Sequence, residues 1–202
     1  MWALVTDNTI TKIINNPQPL VIGDTQYSKN IFSFRWSNAE REAIGIYEVV
    51  FDNTNRKDEA YYINTDQTFA FAGGAVTASY GSAAAKALAD TLFTAQDESD
   101  GKGTEGEVAS KGLKSQHKEK IKQEASGLLT NYDWYVIRKA DAGTAVPSAI
   151  TTYRAAIRTK SGEMETLIDN AANVDALAAL YEYTEQEDGS QTRPLGEFPE
   201  AV

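Results

Sequence analysis

Chemistry on this chain has to come from carboxylates, hydroxyls and a single histidine. The 202-residue sequence contains no cysteine, which removes thiolate nucleophiles, disulfides and sulfur-ligated zinc together. His117 sits between Gln116 and Lys118, and only Leu, Lys and Ile stand three or four residues away from it. A metal needs converging ligands and a general base needs an orienting partner, so His117 is assigned to the edge of an apolar helical stripe, as a semi-exposed polar residue. The run Asp97-Glu98-Ser99-Asp100-Gly101 offers the oxygen ligands and the glycine of a calcium loop. With Gly101 as the sixth loop position, however, Gln96 falls at the first, where a carboxylate is required. Asp52-Asn53-Thr54-Asn55 fails in the same way, because Lys57 stands where the loop demands glycine. Glu163 with Glu165, and Asp58 with Glu59, lie on exposed patterns and receive no acid-base role. The expectation is a protein with no catalytic residue, no metal site and no cofactor, and therefore not an enzyme.

Charge narrows the partners. A formal net charge of −10 argues against nucleic acid, whose phosphates call for clustered Lys and Arg. No apolar run approaches the length of a spanning helix, and Met1-Trp2-Ala3-Leu4-Val5-Thr6-Asp7 lacks the basic region of an export signal. Neither membrane nor nucleic acid is expected as a partner.

The most specific pattern in the sequence is Leu128-Leu129, then Asp133-Trp134, then Tyr153-Arg154 with Arg158 one helical turn further. Asp133 is expected to pair with Arg154 or Arg158 across a helical hairpin and so fix its register. Trp134 is expected to be an anchor buried between the helices, with Tyr153 stacked near it. Aromatic residues such as Trp36, Tyr61 and Tyr62 are core positions before they are a sugar-binding surface.

Around these residues the chain reads as α+β: an antiparallel, β-rich N-terminal domain, then a helical hairpin or small bundle with an extended C-terminal arm. Trp2 to Val5 and Ile10 to Ile14 flank the turn Asp7-Asn8 as a hairpin. Leu20 to Ile22 predicts a further strand, and the alternation in Ile31 to Trp36 predicts a half-buried one. Ser37-Asn38-Ala39-Glu40 has the capping-box spacing of a short helix that ends at Gly45. Strands are expected at Ile46 to Phe51, Ala60 to Ile63, Thr68 to Phe71 and Ala75 to Tyr80, with hairpin turns at Asn64-Thr65-Asp66 and Gly73-Gly74. Ser82 is expected to cap a helix through Phe93, which closes a β-rich docking domain over 1–95. Residues 96–106, acidic and glycine-containing with no apolar side chain, read as a linker. A helical domain over 107–184 should open on a second capping box at Thr104 to Glu107. It carries three stripes: Leu113, His117, Ile121, Ala125 and Leu128; Ile150, Tyr153, Ile157, Met164, Leu167 and Ile168; and Val174, Leu177, Leu180 and Tyr181. Residues 185–202, with Gly189, Pro194, Gly196 and Pro199, read as an extended arm.

The segment from Ile121 to Leu129, with Asp133-Trp134 and Tyr153-Arg154-Ala155-Ala156-Ile157-Arg158, resembles the bacteriophage tail assembly chaperone family, whose pattern is a helix ending in Leu-Leu, an Asp-Trp corner and a Tyr-Arg-x-x-Leu-Arg helix. Glu124 stands near a position where that family usually carries a basic residue, and Thr159-Lys160-Ser161-Gly162 replaces its Asp-x-Pro ending. The N-terminal half, around Asn30-Ile31-Phe32 and Trp36 to Tyr47, looks like small virion or tail-fibre-associated proteins of tailed phages. The resemblance implies a non-enzymatic tail or tail-fibre protein that connects or assembles tail components, built in the host cytoplasm and located in the virion tail. It also implies other tail proteins as partners and an oligomer within a symmetric assembly. Its alternative is a soluble assembly chaperone absent from the mature particle. Leu128, Leu129, Asp133, Trp134, Tyr153, Arg154 and Arg158 are its structural or partner-binding residues.

Overall fold

The computed structural model describes residues 1–202, and the fold is α+β, with a β-rich N-terminal region and helices after it. The chain divides into two compact units, Met1–Ala84 and Ala85–Val202.

In the first unit, β1 (Trp2–Thr6) and β2 (Thr9–Ile14) pair antiparallel around Asp7 and Asn8, both at positive φ, the two-residue turn whose twist suits a hairpin. A two-stranded ribbon follows, β3 (Leu20–Ile22) with β4 (Thr25–Tyr27). Then come a single 3₁₀ turn at Lys29–Phe32, α1 (Asn38–Glu42) and β5 (Ile46–Asp52). After β6 (Tyr62–Ile63), β7 (Gln67–Ala72) and β8 (Ala75–Tyr80) form a hairpin across Gly73-Gly74. The main sheet has the order β2-β1-β5-β8-β7, antiparallel except where β5 and β8 run parallel. Its edge strands β2 and β7 approach each other, so the sheet curls into a half-barrel.

Alternation decides the two faces of that sheet. Ala3 and Val5 point to one side with Val49, Val76 and Ala78, joined by Ile13, Tyr47, Phe69 and Phe71. Trp2 and Leu4 point to the other, with Ile14, Leu20, Ile31, Phe32 and Ile46. Full burial of each aliphatic side chain contributes about 1.5–3 kcal/mol. Gly45 turns α1 into β5 at φ +81°, and a Cβ there would lie 2.6 Å from the Val5 carbonyl oxygen, whose own amide donates to the Gly45 carbonyl.

The expected strand over Ile31 to Trp36 is a tight coil instead, and Phe34 is almost fully exposed. Local donors outcompete a ladder. The Ser28 hydroxyl accepts from the Asn30 amide, and the Arg41 guanidinium donates to the carbonyls of Ile31, Ser33 and Trp36 at 3.2, 3.5 and 2.7 Å. Asn64-Thr65-Asp66 is likewise not a hairpin turn, since β7 pairs with β8 and not with β6.

Beyond β9 (Ala84–Ala85), the second unit opens without the helix expected from Ser82 to Phe93. Ala87 and Leu88 offer their carbonyls to the amides of Leu113 and Lys114, while Asp90 accepts from the Gly112 amide and the Ser115 hydroxyl at 2.7 and 2.8 Å. This extended segment satisfies the orphan donors at the start of α3 (Leu113–Thr130), whose N-cap Gly112 has no side chain with which to do so. A Cβ on Gly112 would fall 2.3 Å from the Ala89 backbone, so the close docking depends on glycine.

The acidic stretch over 96–106 is the tip of a ribbon inside this unit, between β10 (Thr91–Leu92) and β11 (Val108–Ser110). It begins in α2 (Ala95–Ser99), held by a Thr94–Asp97 capping box, with Lys102 paired to Asp97 and Asp100. Thr104 to Glu107 caps no helix, because β11 follows it.

After α3 come α4 (Asp133–Ala142), α5 (Ser148–Asn170) and α6 (Val174–Ala179), four helices where three stripes were expected. Lys118–Asp169, Lys122–Glu165 and the Arg154–Leu129 contact run in opposite senses along the two helices, which makes α3 and α5 an antiparallel pair. The last segment is no free arm. β12 (Thr184–Glu185) and β13 (Gln191–Thr192) form a ribbon, Leu195 is fully buried, and Phe198 packs on the cluster of Ala125, Tyr153 and Ile157.

Candidate docking surface

The hairpin residues converge on one guanidinium. Arg154, buried on α5, donates Nη1 to the Leu129 carbonyl at 2.7 Å and places Nη2 2.8 Å from Asp133 Oδ1. Leu129 lies in the last turn of α3 and Asp133 in the first of α4. A cation therefore meets a carbonyl-rich helix end and an anion meets an amide-rich helix start, both favourable for the helix dipoles. One side chain thus ties three helices. Leu128 and Leu129, partly buried, pack with Tyr132 on the Tyr153–Ile157 cluster.

Three of the expected roles are corrected. Trp134 is not buried between helices but half exposed, its ring under the Arg138 guanidinium at 4.6 Å and beside Tyr135. Tyr153 meets Tyr132 edge-on at 5.2 Å, rather than Trp134. Helical geometry accounts for both: Tyr132, the residue before α4, reaches inward, and Trp134, two residues on and so on the opposite side, faces out. Arg158 does not reach Asp133; it donates only to the Arg154 carbonyl, at 3.4 Å. The Asp133-Trp134 corner is itself the start of a ten-residue helix that buries none of its residues. Asp133 in its first turn, Gly143 at φ +70° after its last residue and Pro147 beyond are start and stop signals that could have revealed it.

The outer surface of α4 shows Trp134, Val136 and Ile137, with 50, 44 and 66 % of their areas accessible. Between α4 and α5 runs an open groove of about 370 Å³ lined by Val136, Lys139, Ala145, Val146, Thr151, Arg154 and Arg158. No known protein family, curated protein or solved structure matches this chain. The functional reading therefore rests on the geometry and on the motif.

Elsewhere, His117 is buried on the α3 stripe, its Nδ1 2.7 Å from Tyr181 Oη. It is a core residue rather than a semi-exposed one, and burial pushes its pKa below the ordinary imidazole value. No group of three His, Asp or Glu side chains is arranged to hold a metal ion. No helix is long and apolar enough to cross a membrane. Hydrogen bonds from Gly112 and Ser115 hold Asp90 below the usual carboxylate range, and Thr94 does the same for Asp97. These groups cap helices.

Proposed function

We propose that this chain is a non-enzymatic bacteriophage tail or tail-fibre protein that joins or assembles tail components by docking to other proteins. The observation that carries the reading is the Arg154 clamp. Of the residues by which the hairpin resembles tail assembly chaperones, Leu129, Asp133 and Arg154 meet at one junction, and that junction holds α4 with Trp134 outward. A helix whose apolar side chains stay exposed presents a face for another surface to cover.

Mass spectrometry of purified phage particles tests the reading, with this chain expected at a fixed ratio to tail proteins. Absence from particles, combined with rescue of a tail protein's solubility on co-expression, assigns a chaperone that leaves before maturation. Absence without rescue overturns both.

A further inference from the structure

We propose that the outer face of α4 and the adjoining groove take an acidic, amphipathic segment of a partner protein. The assignment of an acidic partner rests on the docking role proposed above and goes beyond it, because it comes from charge.

The chain is strongly acidic, and Lys102, Lys118, Lys122, Lys160 and Arg193 sit in ion pairs. Around α4 three cations stand together without such a partner. Arg138, Lys139 and Arg158 pair with no carboxylate. Arg138 is stacked over Trp134 and Tyr135 at 4.6 and 5.3 Å, and its Nε is sealed from water without an acceptor. Asp133 is already committed to Arg154, so of the α4 carboxylates only Asp141, in the last turn, is left near this face.

Apolar and cationic groups therefore stand side by side in two places: Trp134 and Ile137 flank Arg138 on the outer face, and Val136 and Lys139 line the groove with Arg158 across it. An apolar partner alone would leave three cations desolvated and unpaired, which is costly. A partner with Asp or Glu spaced between Leu, Phe or Ile matches both components. Nucleic acid would pair with the cations but leave Trp134, Val136 and Ile137 uncovered, and it would approach a chain carrying a net charge of −10.

The test uses the full chain and two fluorescein-labelled amphipathic helical peptides with the same leucine spacing, one carrying Glu at the polar positions and one carrying Lys. By fluorescence anisotropy at low salt, the Glu peptide is expected to bind about tenfold more tightly than the Lys peptide. The double variant Arg138→Glu with Lys139→Glu, which leaves the Arg154 clamp intact, should lose or invert that preference. Amide exchange should show protection by the Glu peptide over residues 133–142 and in α5 around Arg158. Equal binding of the two peptides, protection elsewhere, or displacement of the peptide by duplex DNA or phosphatidylserine vesicles would overturn the proposal. Particle composition is a separate result. A chain present in particles that ignores the Glu peptide refutes the acidic partner alone, and one absent from particles that binds it refutes only residence in the virion.

Discussion

Helices α4 and α5 are neighbours in the chain, and both begin with a turn that places apolar side chains at helical spacing, yet they use those side chains in opposite ways. α5 buries Ile150, Tyr153, Arg154, Ile157, Ser161, Met164 and Ile168 along one stripe. α4 buries nothing, and Trp134, Val136 and Ile137 stand in the open. Amphipathicity states that a helix has a face to cover, not whose surface covers it. In α5 the cover is α3; in α4 it is solvent here, and a partner in the function proposed.

The strongest way to break this contrast is to cut into the covered stripe. Ile157 is fully inaccessible and central to the cluster with Ala125 and Tyr153. Ile157→Ala should cost about 2–5 kcal/mol, the range for removing a buried aliphatic side chain where neighbours relax only partly. Urea unfolding measures it, and a loss below about 1 kcal/mol would mean that the α3–α5 core is not the stabilising contact described.

Next in size is the link between the two helices. Arg154→Gln removes the ion pair with Asp133 and the charged donor to the Leu129 carbonyl. The expected loss is about 1.5–3 kcal/mol, the range for hydrogen bonds to charged groups. The pair lies at the upper edge of what a partly exposed partner permits, since Asp133 is half exposed. Raised amide exchange should be concentrated in α4. Uniform loosening across the unit would instead make Arg154 an ordinary core residue.

The same contrast explains what could be read without coordinates. The buried stripes of α3 and α5 are legible because periodicity reports a face directly: Leu113, Ile121 and Ala125, then Ile150, Tyr153, Ile157, Met164 and Ile168, are buried, whereas Leu128 is only partly so, Leu167 is exposed and His117 is more buried than expected. The pairing of Asp133 is legible as a choice between Arg154 and Arg158, and the structure selects Arg154. Trp134 is misplaced because size and hydrophobicity argue for burial, while helical phase, set by Tyr132 two residues earlier, decides the matter. The alanine-rich stretch after Ser82 was misread for a different reason. Its helix propensity is real, but the long-range demand of the α3 amides for Ala87, Leu88 and Asp90 overrides it. Strand Ile31 to Trp36 was lost to Arg41, a partner five to ten residues away that no period-two pattern reveals. Tertiary hydrogen bonds, not packing, caused most of these departures.

The next effect is on pH dependence and again touches only the covered side. Burial lowers the His117 pKa in the folded chain, with Lys120 adding to the shift, so the unfolded chain takes up the proton first. Stability is then fully present above the unfolded value of about 6.5 and falls as pH drops through it. The lowered carboxylates Asp90 and Asp97 add their own losses only near and below about pH 4. Chemical denaturation between pH 7.5 and about 5 should therefore show a slope that His117→Gln abolishes. A flat profile in the parent chain would remove His117 from the linkage.

The smallest expected stability change is the most diagnostic for the open side. Ile137 leaves two thirds of its area in solvent, so Ile137→Ser should change unfolding free energy by no more than about 0.5 kcal/mol, as exposed substitutions usually do. A loss approaching that of Ile157→Ala would show that α4 is covered by its own fold in solution and would end the contrast. If stability holds while binding of the Glu peptide falls, Ile137 contributes to recognition without contributing to folding. That separation is what a docking helix requires: its apolar residues remain dispensable to the unit that carries them, and the Arg154 clamp, rather than burial, keeps them in place.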